Sequence, residues 1–467
     1  MAELFTPEFL LGFMIFFIVY WLVAPWLKLQ NFILLIAGYW LLSQAGWEVL
    51  LIHLSFSLCV LFLILLSRKT KLAIYLPSVL IAIVVIYFFI FKCFSPIMVW
   101  GQGIIDTLTV NLQLPMINIQ LPLGLSFYLF NAISLVIAVV RGDIRDVNMI
   151  SVLLYMNFMP TIIAGPINRA TWLMPQIDSA HRSIKAYQRA IWLIVLAIVK
   201  LFWLSAWLDQ QFVTGIFFSP LREHGLASLA AVYGWAWEIY FNFSGYTNLV
   251  SGIALLLGYQ IGENFQHPYL AANIQDFWHR WHISLSTFIR DYIYIPLGGN
   301  RKGIWRTQLN VMIAMILSGL WHGVGGTFIV WGALHGLGVV IYNVWTKQLK
   351  ERWSWIIPPI IARLLTFNFV CLAWVFFKAN SVSDALLIVE NIYTVHIESI
   401  SSASACAVIA NTLLIVIYPS IIKLRMRCVP ILNDIKWYAI PLVVIPALTI
   451  TFILAPAGIP GFIYAGF

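Results

Sequence analysis

Three histidines sit where a strongly apolar chain can least accommodate them. His322 lies in ILSGLWHGVGG at the end of an apolar run, and His335 lies in VWGALHGLG one apolar segment later. His282 lies in RWHISL, inside a locally polar stretch. An ionisable group at membrane depth is expensive and usually faces a cavity or a pathway. Imidazole has an unperturbed pKa of about 6.5, and a neutral ring held there can act as a general base. Gly319, Gly323, Gly325 and Gly326 flank His322 and would let another backbone or a ligand approach closely. The same placement suits a core histidine hydrogen-bonded between helices, and position alone leaves both readings open.

The polar exception to the apolar pattern runs from Gln260 to Arg306. Residues 274–291 suit one helix: Asn273 can cap it, and Phe277, Trp281, Leu285 and Phe288 recur at helical spacing. Pro296 and the Gly298–Gly299 pair end it. Such a helix puts His279, His282 and Ser286 on one face, with Asp276 and Arg280 nearby. That face either meets lipid headgroups or lines a cavity. Downstream, IRDYIYIPLGGNRKGIWR carries Arg290, Arg301 and Lys302. These cations suit either anionic lipid or the phosphates of a coenzyme. Asn242, Ser244, Tyr246 and Asn248 in YFNFSGYTNLVSG read first as interhelical hydrogen-bonding groups.

Composition says what must position these residues. Of 467 residues, 62% are apolar and 10% charged, with a mean hydropathy of +0.91. A soluble chain carries about 25% charged residues, so this one cannot cover a water-facing surface. Runs long enough to cross about 30 Å of hydrocarbon recur, and they predict about 11–13 spans or part-spans. The fold class expected is all-α, a polytopic helical bundle with interfacial or re-entrant helices.

The net charge of +9 sits in short connectors, at Arg68–Lys71, Arg182–Arg189, Arg301–Arg306, Lys347–Arg352 and Lys423–Arg427. That is the distribution of cytoplasmic loops, and it offers no continuous basic face for nucleic acid. The segment 96–121 reads as the longest irregular connector. Five scattered cysteines without CxxC spacing read as small hydrophobes, and no metal is expected. Glu3 and Glu8 precede the first positive charge, Lys28, so the first span reads as retained, with the N-terminus outside the cytoplasm.

In seven stretches the chain resembles the membrane-bound O-acyltransferase family, and within it the bacterial alginate O-acetylase-like branch. They are LPLGLSFYLFNAIS at 121–134, IIAGPINR at 162–169, YFNFSGYTNLVSGIALLLG at 240–258, DFWHRWHISLSTFIRDYIYIPLGGNRKG at 276–303, LSGLWHG at 317–323, VWGALHG at 330–336 and AWVFFKAN at 373–380. The resemblance divides the chain into N-terminal helices 1–120, a catalytic core 121–385 and C-terminal helices 386–467. It implies an internal tunnel in a bundle of the bacterial cytoplasmic membrane. Through it, acyl-coenzyme A, by default acetyl-CoA, would meet an acceptor hydroxyl on the far side.

The family's invariant histidine falls on His322 and its second position on His282, which would orient the acceptor or stabilise the oxyanion. His335 matches a further histidine of this branch. Arg290, Arg301 and Lys302 become candidates for coenzyme contacts, and His335, Asp276, His279 and Asn242 for the cavity. The implied partners are membrane lipid, an extracytoplasmic polysaccharide or cell-wall glycan, and a periplasmic or extracellular acetyltransferase. Asn242 and Asn248 stand where the family pattern carries acidic residues, which bears on the acceptor. The rival reading is a transporter using the same polar residues as a path, against which no paired internal repeats are visible.

Overall fold

The computed structural model describes residues 6–69, 74–108, 112–115, 119–179, 182–184, 186–220, 225–346, 357–394, 401–457 and 463. The basic run Lys347–Arg352 and the second half of Arg68–Lys71 fall outside them, as does Glu3. Among the described residues every regular element is helical, apart from one isolated antiparallel bridge, Phe265 to Trp281. Seven helices among these residues are long and apolar enough to cross a membrane, and three shorter apolar helices accompany them. Many of their outward side chains are large and apolar, such as Ile81, Val85, Ile341, Leu365, Ile445 and Ile453. In a bilayer that surface faces hydrocarbon at no cost. The chain is a multi-pass membrane protein.

Two compact units emerge. The first comprises residues 1–187 and 253–262. It holds α1 (Pro7–Leu22), α2 (Leu27–Ser43), α3 (Trp47–Lys69), α4 (Leu76–Thr107), α5 (Leu125–Arg141), α6 (Met149–Met156) and α7 (Ala170–Ile177). Local chemistry sets the ends. Thr6 Oγ1 accepts from Phe9 N at the start of α1, and Asn148 Oδ1 accepts from Ser151 N at the start of α6. Gly124 precedes α5 at φ +77, where a side-chain carbon would collide with the Ile162 carbonyl oxygen.

Two expectations change in this unit. Residues up to Thr107 are helical, so the 96–121 segment is half helix. Pro96 is tolerated because it follows a π-helical stretch, Phe89–Cys93, where the regular hydrogen-bond ladder is already interrupted. Arg182 is no solvated loop charge either. Its guanidinium donates to Tyr20 Oη (3.2 Å), Gln30 Oε1 (3.0 Å), Asn31 Oδ1 (3.0 Å) and the Gln176 and Ile177 carbonyls, and it lies 4.5 Å from the Tyr259 ring centre. Polar acceptors on α1 and α2 thus draw one cation inward.

The second unit comprises 188–252 and 263–467. Its helices are α8 (Tyr187–Phe218) from Gln188 on, α9 (Leu226–Leu256) as far as Gly252, α10 (Ile274–Arg280), α11 (Ile283–Ile289), α12 (Ile304–His322), α13 (Gly326–Val344), α14 (Pro359–Lys378), α15 (Val382–Tyr393), α16 (Ser402–Asn433) and α17 (Ile440–Leu454). Lys423–Arg427 lies within α16 and is not a connector. A helix of 32 residues is about 48 Å long, so its charged end can run past about 30 Å of hydrocarbon. The single helix expected over 274–291 is also broken. Trp281 is extended and His282 left-handed, so α10 and α11 are separate. The cause is tertiary: Ile283 N bonds Asn264 O (3.0 Å) and Gln266 N bonds Arg280 O (3.0 Å), replacing helical partners.

Candidate active site

The α12–α13 hairpin sets the site, because its two helices approach closer than side chains permit. A side-chain carbon on Gly319 would collide with the Phe328 carbonyl oxygen, and one on Gly332 would lie 2.6 Å from the Met315 oxygen. One on Gly336 would lie 2.8 Å from Met312 Sδ. Small residues at such positions let backbones pack directly. Gly326 is different, since a carbon there would meet only Val382 at an ordinary 3.4 Å. At the apex, α12 ends on His322 and Gly323 turns extended.

His322 is buried, at 2% exposure, inside an aromatic cage. Trp321 (4.6 Å), Phe377 (4.9 Å) and Trp331 (5.2 Å) all meet its ring edge-on, and Phe328 stacks at 6.3 Å. Such contacts hold the imidazole in one orientation. Trp321 also reaches the second histidine, with its ring 6.1 Å from that of His282. His282 is likewise buried and lies edge-on to Phe243 at 4.7 Å. Burial pushes the His282 pKa down to about 3, so its ring is neutral at physiological pH.

His282 also carries backbone strain, at φ +43. Among the described residues only two other non-glycines have positive φ, and one is His267 at φ +52, just across the Phe265–Trp281 bridge. Ser284 N donates to Asn264 Oδ1 at 3.3 Å and helps hold the turn. Strain of this kind persists only where the surroundings over-determine it, and it collects at functional sites.

His335 extends the cage. It is fully buried, 4.9 Å from Trp331 and 5.0 Å from Trp278, and stacks with Phe277 at 6.1 Å. Among the described residues neither of its ring nitrogens has a hydrogen-bond partner, nor do the indole nitrogens of Trp278 and Trp331. Buried polar groups left in this state mark places for an ordered water or a ligand atom. The structure therefore brings His282, His322 and His335 into one aromatic assembly through Trp321 and Trp331.

The other expected residues fall elsewhere. His279 is exposed on α10, away from any shared face with His282, because the helix breaks between them. Asp276 accepts from Arg280 Nε at 2.8 Å on the same short helix. Arg290 is 59% exposed and bonds Asp291 at 2.7 Å, and Arg301 and Lys302 are exposed. Asn242 is buried in α9, where it donates weakly to Ser205 Oγ (3.5 Å) and accepts from Ile463 N (3.1 Å). Sequence reasoning missed the cage residues Phe328 and Phe377, whose types are too common in this chain to signal anything. It also passed over Lys200 and Glu238, lone charges in apolar runs, which were visible.

The sequence profile described as membrane-bound O-acyltransferase family matches residues 32–382. The chain belongs to this family. Among curated proteins it is 34% identical over 286 residues to a probable alginate O-acetylase of Pseudomonas aeruginosa, covering 59% of this chain and 52% of that protein. It is 36% identical over 246 residues to a peptidoglycan O-acetyltransferase of Helicobacter pylori, covering 51% and 45%. It is 28% identical over 283 residues to a teichoic acid D-alanyltransferase of Bacillus subtilis, covering 55% and 69%. The chain thus spans about half the length of its alginate and peptidoglycan relatives.

Proposed function

We propose that the chain is an O-acyltransferase of the bacterial cytoplasmic membrane. It takes an acyl group, acetyl by default, from cytoplasmic acyl-coenzyme A and delivers it to a hydroxyl of an extracytoplasmic glycan. The observation that carries this reading is the buried His322 at the hairpin apex, caged in aromatics with neutral His282 across Trp321. Relatives named for alginate, peptidoglycan and teichoic acid share polymer acceptors outside the cytoplasm, and they support the acceptor class. A glycan there has no coenzyme A pool beside it, so the thioester must be reached through the protein. A companion acetyltransferase outside the membrane fits the same logic.

In this reading His322 takes the proton of the acceptor hydroxyl as its oxygen attacks the thioester carbonyl. Its place at the carboxyl end of α12, where unpaired carbonyls carry partial negative charge, favours the imidazolium formed. The carbon–sulfur bond then breaks, and the imidazolium returns the proton to the departing thiolate. His282, neutral and fixed by its strained turn, offers an N–H to the oxyanion or to the acceptor. The aromatic cage excludes water, which would otherwise hydrolyse the thioester.

The test is transfer itself. Vesicles containing the protein are given radiolabelled acetyl-CoA on the cytoplasmic face and alginate, peptidoglycan fragments or teichoic acid on the other. Label appearing on one polymer, dependent on His322, supports the reading. Label on none of them, with the thioester left intact, contradicts it.

A further inference from the structure

Between Arg189 and Asp209 the only charged side chain of α8 is Lys200, in the π-helical stretch Val199–Ser205. Its Nζ donates to Ser244 Oγ at 2.9 Å and lies 5.5 Å from the Tyr240 ring centre. With the Asn248 amide turned to face it, that oxygen accepts at 3.1 Å. Among the described residues no carboxylate lies within ion-pair distance of it. A cation in a spanning helix with only neutral partners is costly, and π-helical stretches recur at functional sites.

Two further basic groups converge on the same place. The turn Pro268–Leu270 packs against α16, and Tyr240 meets both Phe265 (5.7 Å) and Tyr269 (5.6 Å), which bracket His267. Arg425 of α16 is close enough to act electrostatically on Lys200, Tyr240, His267 and Tyr418. Burial and the charges of Arg425, Lys200 and Arg280 hold His267 down at about 4, so it is a neutral donor at physiological pH. The carboxylates nearby are already engaged: Glu263 with Arg189 at 3.2 Å and Asp276 with Arg280 at 2.8 Å. Among the described residues that leaves Lys200 and Arg425 without an ion-pair partner. Lys200 and His267 are half-buried and Arg425 is exposed.

We infer that Lys200, Arg425 and His267 form a binding site for a phosphate-bearing anion, with the Ser244 hydroxyl beside Lys200. Two cations with a neutral imidazole and hydroxyl groups suit phosphate oxygens, which accept several charge-assisted bonds at once. The ligand is either the phosphate portion of a coenzyme donor or an anionic lipid headgroup. Only the donor source rests on the function proposed above. This site is separate from the exposed Arg290, Arg301 and Lys302.

The experiment measures binding, not turnover. Full-length protein in phosphatidylcholine nanodiscs is titrated with coenzyme A by calorimetry, and retention of phosphatidylglycerol is read by native mass spectrometry. Wild type is compared with Lys200→Met, Lys200→Arg and Arg425→Gln. Lys200→Met and Arg425→Gln should each weaken one ligand about tenfold or more, and Lys200→Arg less. Loss confined to coenzyme A assigns the site to the donor, and loss confined to phosphatidylglycerol assigns it to a headgroup. Unchanged binding of both ligands, or no binding by wild type, overturns the inference. Should Lys200→Met fail to fold, the exposed Arg425→Gln carries the comparison. His322→Ala should bind the anion as wild type does, so this site and the catalytic reading fail separately.

Discussion

Gly332→Ala should disable the site without touching any histidine. The added methyl would sit 2.6 Å from the Met315 oxygen, 3.0 Å from the Ile316 Cα and 3.2 Å from the Met315 carbonyl carbon. All three are backbone atoms of α12, so no rotamer change relieves the contact. The helices must part by several tenths of an ångström, and overpacking of this kind costs about 1–3 kcal/mol. The larger effect falls on the chemistry. Trp331, beside the substituted position, packs on His322 at 5.2 Å, and Phe328 on the same helix completes the cage. A displacement approaching 1 Å at reacting groups can lower a rate about 10²-fold. The assay is release of free coenzyme A from acyl-CoA, alongside thermal unfolding in detergent. Gly326→Ala, which meets only Val382 at 3.4 Å, is the matched control and should stay within about 0.5 kcal/mol of wild type. Wild-type turnover by Gly332→Ala would refute the argument that this close approach holds His322 in place.

Three further outcomes are expected. Because burial depresses His282 to about 3 while the unfolded value is about 6.5, only the unfolded state gains its proton between those values. Stability should therefore fall as pH drops from about 6.5 toward 3, and His282→Asn should show a shallower fall in pH-dependent thermal unfolding. Arg182→Ala leaves the acceptors of five hydrogen bonds in the first unit without that donor, and should cost about 1–3 kcal/mol in denaturation measurements. Lys should substitute for it poorly, since one ammonium cannot span the same fork of acceptors. His279→Ala, at an exposed position, should leave turnover within about twofold of wild type.

The fold class was legible because hydropathy acts through composition, and lipid-facing surfaces need nothing more specific. The Asn273 cap was legible too, being local: its side chain accepts from Asp276 N at 2.8 Å. The break at Trp281 was not, because Phe277, Trp281, Leu285 and Phe288 keep helical spacing across it. What breaks the helix is Asn264, whose carbonyl takes the Ile283 amide from nineteen positions away in sequence. Arg182 misled for a similar reason. Its neighbours in sequence are basic and polar, while its partners Tyr20, Gln30 and Asn31 lie about 150 residues upstream. Of the site, the three histidines could be read from their motifs, but the rings that orient them could not. Nothing in a chain with 32 phenylalanines marks Phe377 as the one against His322.

In the proposed function His322 carries the proton in acyl transfer. The direct measurement is acyl-CoA turnover by purified wild type and His322→Ala in proteoliposomes, with acceptor polymer and any companion protein supplied. Unfolding temperature is recorded to show that both are folded. Loss of a general base predicts a rate lower by roughly 10²–10⁴, with the unfolding transition retained. Equal turnover by the two proteins would contradict the claim and make His322 a packing residue of the α12–α13 hairpin.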